Sequence, residues 1–480
     1  MQSSKTKIVA TVGPASGDRE KLSALIAAGV NLFRLNFAHG DHDWLAEVAA
    51  TVRQLSEELK QPIGLLGDLS GPKIRLGSLP DDQIHCHEGE EYDFVRNGEA
   101  VADRQLTCTY DRLIDDLQVD NHVLLADGTV SMKVISKADD GSSVKCRVED
   151  GGVLRSRQGV NLPGVAISTP SMTEKDHADL EWGIQHGLDY VGLSFVRSAD
   201  DIRRLRETIA SFGAENQPRI VAKIEKLEAI EDIEAILDET DAIMVARGDL
   251  GVETDIARLP ILQKQIIAGC KKHRIPVITA TQMLDSMQWN ERPTRAEASD
   301  VANAVLDGTD AIMLSGETAV GEYPVEAVQM MNCIAIEAET LIEPHGESVD
   351  TEALDHTRAL AVTEAIARGA GHVADELSAD LIAVATHSGR SAMALSKQRR
   401  TIPILALSDR IDVAQRMALF WGVLPIRTDK VSEGPEELLS AVVQIAMDRG
   451  IVRSGSRIVL IASSNWSEGH DMTLVHEVRS

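Results

Sequence analysis

RIVAKIEKLEAIEDIEAILDETDAIMVARG, residues 219–248, holds two nearly unbroken apolar runs, RIVAKIE (219–225) and AIMVARG (242–248), with a segment of helical character between them. Runs of this kind suit parallel strands covered on both faces, and a parallel pair needs a helical crossover. The same texture recurs as KIVATVG (7–13), LFRLNF (32–37), IGLLGDL (63–69), YVGLSF (190–195), PVITATQ (276–282) and AIMLSGE (311–317). Eight such strands alternating with helices predict an α/β protein built on a (β/α)8, or TIM, barrel. The connections agree. In REKLSALIAAG (19–29) apolar residues recur at helical spacing, and Gly29 closes the run.

About a hundred residues interrupt this rhythm between the third strand and TEKDHADLEWGIQHG (173–187), the helix that leads to the fourth. Within the gap, TVSMKVISKADDGSSVKCRVEDGG (129–152) alternates apolar and polar residues. Asp-Gly pairs at 127–128, 140–141 and 150–151 supply turn chemistry. A small β domain, a β-barrel lid over residues 71–163, is therefore expected above the mouth of a barrel formed by 1–70 and 164–341, because βα loops leave the C-terminal face. LIAVATHSGRSAMALSKQRR (381–400), IPILALSDRIDVAQRMALFWG (402–422) and RIVLIASS (457–464) then read as an open α/β domain over 342–480. The polar stretch 344–357 reads as its linker.

Composition narrows the partners. With 48 Lys+Arg against 75 Asp+Glu the formal net charge is −27, a field that repels nucleic acid and anionic membranes. Any anionic ligand needs locally gathered positive charge. Five cysteines without CxxC spacing indicate neither a disulfide framework nor a zinc site. The N-terminal region has no signal-peptide-like apolar stretch and no segment approaches a membrane span, so a soluble cytoplasmic protein is expected.

Barrel chemistry sits at the C-terminal ends of the strands, and those ends are polar here: Arg34 and Asn36, Asp68, Lys223 and Glu225, Arg247 to Asp249, Thr279 and Thr281, Ser315 and Glu317. Carboxylates from neighbouring strands, with a lysine two residues from one of them, can hold a hard divalent cation beside an anionic group. A metal-dependent barrel lyase or aldolase would share the carboxylate pair. It would have no use for the lid or for Lys223 beside the metal. A catalytically silent effector-binding protein would not need the set at all.

FRLNFAHG (33–40), GDLSGPKIR (67–75), MTEKD (172–176), AKIEKLEAIEDIEAI (222–236), MVARGDLGVE (244–253), ITATQMLDSM (278–287) and RPTRAEASDVANAVLDGTDAIMLSGETAVGEYP (292–324) closely resemble the pyruvate kinase family, and the resemblance spans essentially the whole chain. It implies phosphoryl transfer from phosphoenolpyruvate to ADP, giving pyruvate and ATP in glycolysis, with Mg²⁺ or Mn²⁺. By the same resemblance Arg34, Lys223 and Thr281 are catalytic, and Gly248 and Asp249 join them in binding substrate. Glu225 and Asp249 hold the metal; Asn36, His39 and Arg75 contact the nucleotide. A homotetramer is implied as well.

Departures from the family pattern carry their own expectation. Many members have serine at the position of Ala38, Thr-Lys at Leu69-Ser70 and glutamate at Lys73, and the potassium-dependent ones cage K⁺ with Asn, Ser, Asp and Thr side chains. Here one hydroxyl is missing and a fixed cation is added. Two cations 4 Å apart repel by about 4 kcal/mol at an effective dielectric of about 20. Lys73, with Asn36 and Asp68 around it, is therefore expected to replace K⁺.

THSGRS (386–391) follows an apolar strand and opens a helix, resembling the family's effector loop. Thr386, Ser388, Gly389, Arg390 and Ser391 are expected to bind a phosphate. Across from it, SSNWSEGHDMTLVHEV (463–478) is acidic, which favours a monophosphorylated activator, a sugar monophosphate or AMP, over fructose 1,6-bisphosphate. Trp466 is read there as a packed anchor.

Overall fold

The computed structural model describes residues 3–96, 104–165, 167–342, 361–463 and 471–479. The stretch 344–357, read above as a linker, and Trp466 lie outside them. Strands Lys7–Thr11, Val30–Asn36, Gly64–Asp68, Tyr190–Leu193, Arg219–Ile224, Ala242–Ala246, Val277–Ala280 and Ala311–Leu314 close a ring in that order, each parallel to its neighbours. They coincide with the eight apolar runs. The helix Arg19–Ala28 starts on Asp18, whose side chain accepts from the Lys21 N–H. It stops at Gly29, where φ is 127° and the N–H returns to Leu25 and Ile26. Thr173 and Asp176 cap the helix Glu174–Gln185 reciprocally, which fixes where the chain re-enters the barrel.

The insertion is a six-stranded sheet in the order Val160–Asn161, His122–Leu125, Val130–Lys137, Ser143–Asp150, Glu91–Val95 and Gln105–Leu106. A two-stranded ribbon of Gln83–Cys86 and Gly152–Arg155 accompanies it. Its turn chemistry is partly as expected. Asp127 and Gly128 (φ 54° and 83°) turn one hairpin and Gly141 (φ 65°) the next, whereas Gly151 takes no left-handed conformation. Phe94, Met132, Val144, Cys146 and Leu154 form an apolar core separate from that of the barrel.

Behind the barrel, strands Val423–Arg427, Ile404–Ser408, Leu381–Ala385 and Arg457–Ala462 run parallel in that order, and Met472–Glu477 adds an antiparallel edge. This domain is welded to the N-terminal end of the barrel. Lys397 Nζ and Arg399 Nη2 reach buried Asp310 at 2.6 and 2.9 Å, and Lys7 Nζ donates to the Val423 carbonyl at 2.7 Å. All five cysteines are free; Cys86, Cys146 and Cys270 are buried, while Cys333 is exposed. Among the described residues no helix is long and apolar enough to cross a membrane.

Candidate active site

Asp68 ends the third barrel strand, nearly sealed from solvent at 1 % exposure, a position a lone carboxylate could not hold without compensating charge. Two cations supply it. Arg34 Nε donates to Asp68 Oδ2 at 2.7 Å, and Lys223 Nζ stands 3.3 Å from Oδ1. Burial alone would raise the pKa of Asp68; Lys223 and Arg34 overcome it and hold the carboxyl below the usual range. Room for this carboxylate comes from Gly192, which pairs with Asp68 in the sheet: a Cβ there would lie 2.9 Å from Oδ1.

Lys223 is held from three sides. Its Nζ donates to Ser194 Oγ at 2.7 Å and lies 3.0 Å from Glu225 Oε1, besides its contact with Asp68. Burial opposes the ammonium charge, but Asp68 and Glu225 keep its pKa above the ordinary lysine value. Glu225 is buried too, and its other oxygen accepts the Phe195 N–H at 2.7 Å. Phe195 reaches it from a left-handed backbone (φ 54°), an uncommon conformation for a bulky residue. Burial raises the pKa of Glu225, and Asp249 raises it further against the pull of Lys223. Glu225 thus feels the charge of Asp249, and a carboxylate pair is a donor set that suits a hard divalent ion. Among the described residues there is no cluster of three or more His, Cys, Asp or Glu.

On the far side of the mouth, Thr281 takes φ 70°, strained for a β-branched residue. Its Oγ1 accepts the Gly248 N–H at 2.7 Å and donates to the Ala280 carbonyl at 2.6 Å. The Gly248 N–H, expected to be open to substrate, is therefore engaged with Thr281. Arg247 fixes this turn by donating to the carbonyls of Ala280 (3.2 Å) and Thr281 (2.9 Å), and is itself anchored by Asp300 at 2.7 Å. Neither clamp is visible in the sequence, since its parts lie some thirty to fifty residues apart.

Other expectations are placed differently. Thr279 is buried against Thr309, and Glu317 accepts the N–H groups of Leu284 and Ser315, so both are structural. Asn36 Oδ1 accepts the N–H of exposed Ala38 at 3.1 Å, and His39 and Arg75 are exposed at the mouth and lid. Among the described residues no ion pair joins Lys73 to Asp68. The physical reason is that Arg34 and Lys223 already neutralise that carboxylate. A tight turn at Gly71 (φ 65°), closed by Lys73 N–H to the Gly71 carbonyl at 2.9 Å, leads instead to an exposed side chain over Gly159. Lys73 there lines the cleft between lid and barrel with Arg197, Lys226 and Asp249. This cleft, about 30 Å³, is narrow enough to hold little more than water.

In the C-terminal domain, Thr386 and Ser391 are buried, and Thr386 Oγ1 accepts the Gly389 N–H at 3.0 Å. Ser388, Gly389 and Arg390 face a cavity against the barrel rather than one enclosed by the domain itself.

The chain resembles known proteins in sequence and in fold. Residues 3–328 match the family described as pyruvate kinase, barrel domain, and residues 364–476 match pyruvate kinase, alpha/beta domain. The chain is 42% identical over 464 residues to pyruvate kinase 2 of Synechocystis, covering 96% of this chain and 76% of that one. It is 41% identical over 459 residues to pyruvate kinase of Clostridium acetobutylicum, covering 95% and 96%. The crystal structure of a pyruvate kinase from Cryptosporidium parvum superposes with a TM-score of 0.92 at 32% identity, over 99% of this chain and 96% of that one. With the barrel domain, the alpha/beta domain and full-length relatives all in agreement, the chain belongs to the pyruvate kinase family.

Proposed function

We propose that the barrel mouth transfers the phosphoryl group of phosphoenolpyruvate to ADP with a divalent ion, Mg²⁺ or Mn²⁺, and without K⁺. The observation that carries this reading is the position of Lys223, held by Asp68, Ser194 and Glu225 so that fixed positive charge stands beside a carboxylate pair. Phosphoryl transfer asks a protein mainly to position its reactants and to stabilise charge on the transferred oxygens. Arg34 and Lys223 do so without reorganising, because Asp68 already fixes both. Glu225 and Asp249 would hold the divalent ion, which when bound neutralises phosphoryl oxygens as a Lewis acid. The enol ester P–O bond breaks as a terminal oxygen of ADP forms its own bond to phosphorus. The resulting enolate, stabilised by Lys223, takes a proton at carbon from the Thr281 side through water, giving pyruvate. Lid closure keeps water from intercepting the phosphoryl group.

Independence of K⁺ is supported by how the side chains a monovalent ion would use are already spent. Asn36 Oδ1 accepts a backbone N–H, Ala38 has no hydroxyl, and Asp68 faces two cations. Replacing Lys223 with Met tests the central claim: ATP formation from ADP and phosphoenolpyruvate should collapse, and an unchanged rate would overturn it.

A further inference from the structure

The MTEKD motif (172–176) is not used by the chemistry assigned above, yet it stands where both connections of the lid meet the barrel. The chain leaves for the lid through Gly71 and returns through Thr173. Asp176, fully buried, grips both. Its Oδ1 accepts the Gly71 N–H at 3.1 Å, across 105 residues of sequence, and its Oδ2 accepts the Thr173 N–H at 2.8 Å and the Thr173 hydroxyl at 2.7 Å. A helix cap needs only the Thr173 pair; the bond to Gly71 is additional. Gly71 is itself wedged against the mouth. At φ 65° it has no room for a side chain, because a Cβ would fall 2.8 Å from Phe195 Cδ2 and 3.1 Å from Ser194 Cβ. Phe195 gives its N–H to Glu225, while Ser194 Oγ accepts from Lys223 Nζ and donates to the Leu69 carbonyl at 2.7 Å. Next to Asp176, Lys175 Nζ donates to the Phe37 carbonyl at 2.9 Å and pairs with Asp179 at 2.7 Å, which ties the same helix end to the loop that carries His39.

We propose that Asp176 is a positioning residue for lid closure, joining the outgoing and returning connections of the lid into one pivot set against Ser194 and Phe195. Two anchored points define an axis, so the lid swings about it rather than drifting over the mouth. Because the pivot packs on the two residues that hold Lys223 and Glu225, the closed lid comes into register with both. The kinetic consequence rests on the phosphoryl transfer proposed above; the pivot does not.

The test measures pyruvate and ATP separately in the full chain carrying Asp176→Asn, with Thr173→Ala as the control for the helix cap. An amide has one acceptor oxygen, so whichever way it turns its NH2 meets a hinge donor. The kcat should fall about tenfold, the contribution of one hydrogen bond to a charged group, and KM for ADP should rise with it. A lid closing out of register admits water, whose oxygen bonds to phosphorus as the enol ester P–O bond breaks, giving inorganic phosphate and the same enolate. Pyruvate should therefore exceed ATP in Asp176→Asn and match it in the parent and in Thr173→Ala, whose loss is confined to a lower unfolding midpoint. Hydrogen exchange resolved to Gly71 reads the pivot without any substrate. Its amide should be protected about tenfold or more in the parent and in Thr173→Ala, and should lose that protection in Asp176→Asn. A Gly71 amide that is unprotected in the parent overturns the pivot, even where the variant does not fold. Equal pyruvate and ATP in Asp176→Asn, or an equal excess of pyruvate in Thr173→Ala, overturns the positioning role and leaves Asp176 a helix cap. A parent that forms no ATP would count against the assigned reaction, and exchange at Gly71 would still decide the pivot.

Discussion

Arg34 donates from Nε to Asp68 Oδ2 at 2.7 Å across the second and third barrel strands, so the guanidinium owes its orientation to a carboxylate on the neighbouring strand. Lys223 leans on the same carboxylate. Asp68→Asn keeps the volume and removes the charge, leaving two cations partly uncompensated. The expected result is a fall in kcat of about 100-fold, the usual penalty for misplacing reacting groups by about an ångström. Steady-state kinetics would measure it, with circular dichroism confirming the fold. A variant within twofold of the parent would show that Asp68 positions neither group.

Arg247 is the second residue argued to act through others. Its fork reaches the carbonyls of Ala280 and Thr281 and Asp300 together, which the single ammonium of lysine cannot do. Arg247→Lys should therefore relax the left-handed turn at Thr281 and slow enolate protonation. Solvent deuterium incorporation into the methyl group of pyruvate would report that step, and should fall on the order of tenfold or more while KM for ADP stays put. A change confined to KM would assign Arg247 to binding alone.

Those two residues also mark the limit of what the sequence displays. The strands are legible because burial on both faces makes each a local apolar run, and the polar strand ends identify the mouth directly. Partnerships are another matter. Arg34 with Asp68, Arg247 with Asp300 and Asp310 with Lys397 are set by closure of the ring and by docking of the last domain, neither of which leaves a local pattern. Lys73 shows the same limit from the other side. Its motif is obvious, yet the cations that pair with Asp68 among the described residues are Arg34 and Lys223, which no local pattern announces.

Asp310 joins barrel to C-terminal domain through Lys397 and Arg399 and accepts the Val277 N–H at 2.8 Å. Burial works against its charge, but Arg399 and Lys397 hold its pKa below the ordinary value. A carboxyl depressed in the folded state stabilises it fully above the unfolded pKa of about 4, and that contribution is lost as pH falls through the folded value. Asp310→Asn, which strands two buried cations, should cost about 3 kcal/mol or more at pH 7. The gap from the parent should narrow only below about pH 4. Urea midpoints across pH 3 to 7 would show it; a gap that is widest in acid would contradict the assignment.

Lys73 carries the last expectation. Although the ammonium is not beside Asp68, it lines the lid cleft with Asp249 and Arg197, where closure would bring it onto substrate or nucleotide phosphates. Charge is what a monovalent ion would add there, and a tethered cation would supply it without the entropy of capturing a free one. Turnover in tetramethylammonium chloride should therefore stay within about twofold of that in potassium chloride, since no bound ion has been withdrawn. Combining Lys73→Glu with Ala38→Ser removes the fixed charge and restores both a hydroxyl and an acid. Because an uncompensated like charge close to the phosphates costs on the order of a few kcal/mol, this double variant should lose tenfold or more in tetramethylammonium and recover it with K⁺. A parent enzyme that stalls without K⁺ would show that Lys73 does not stand in for the ion.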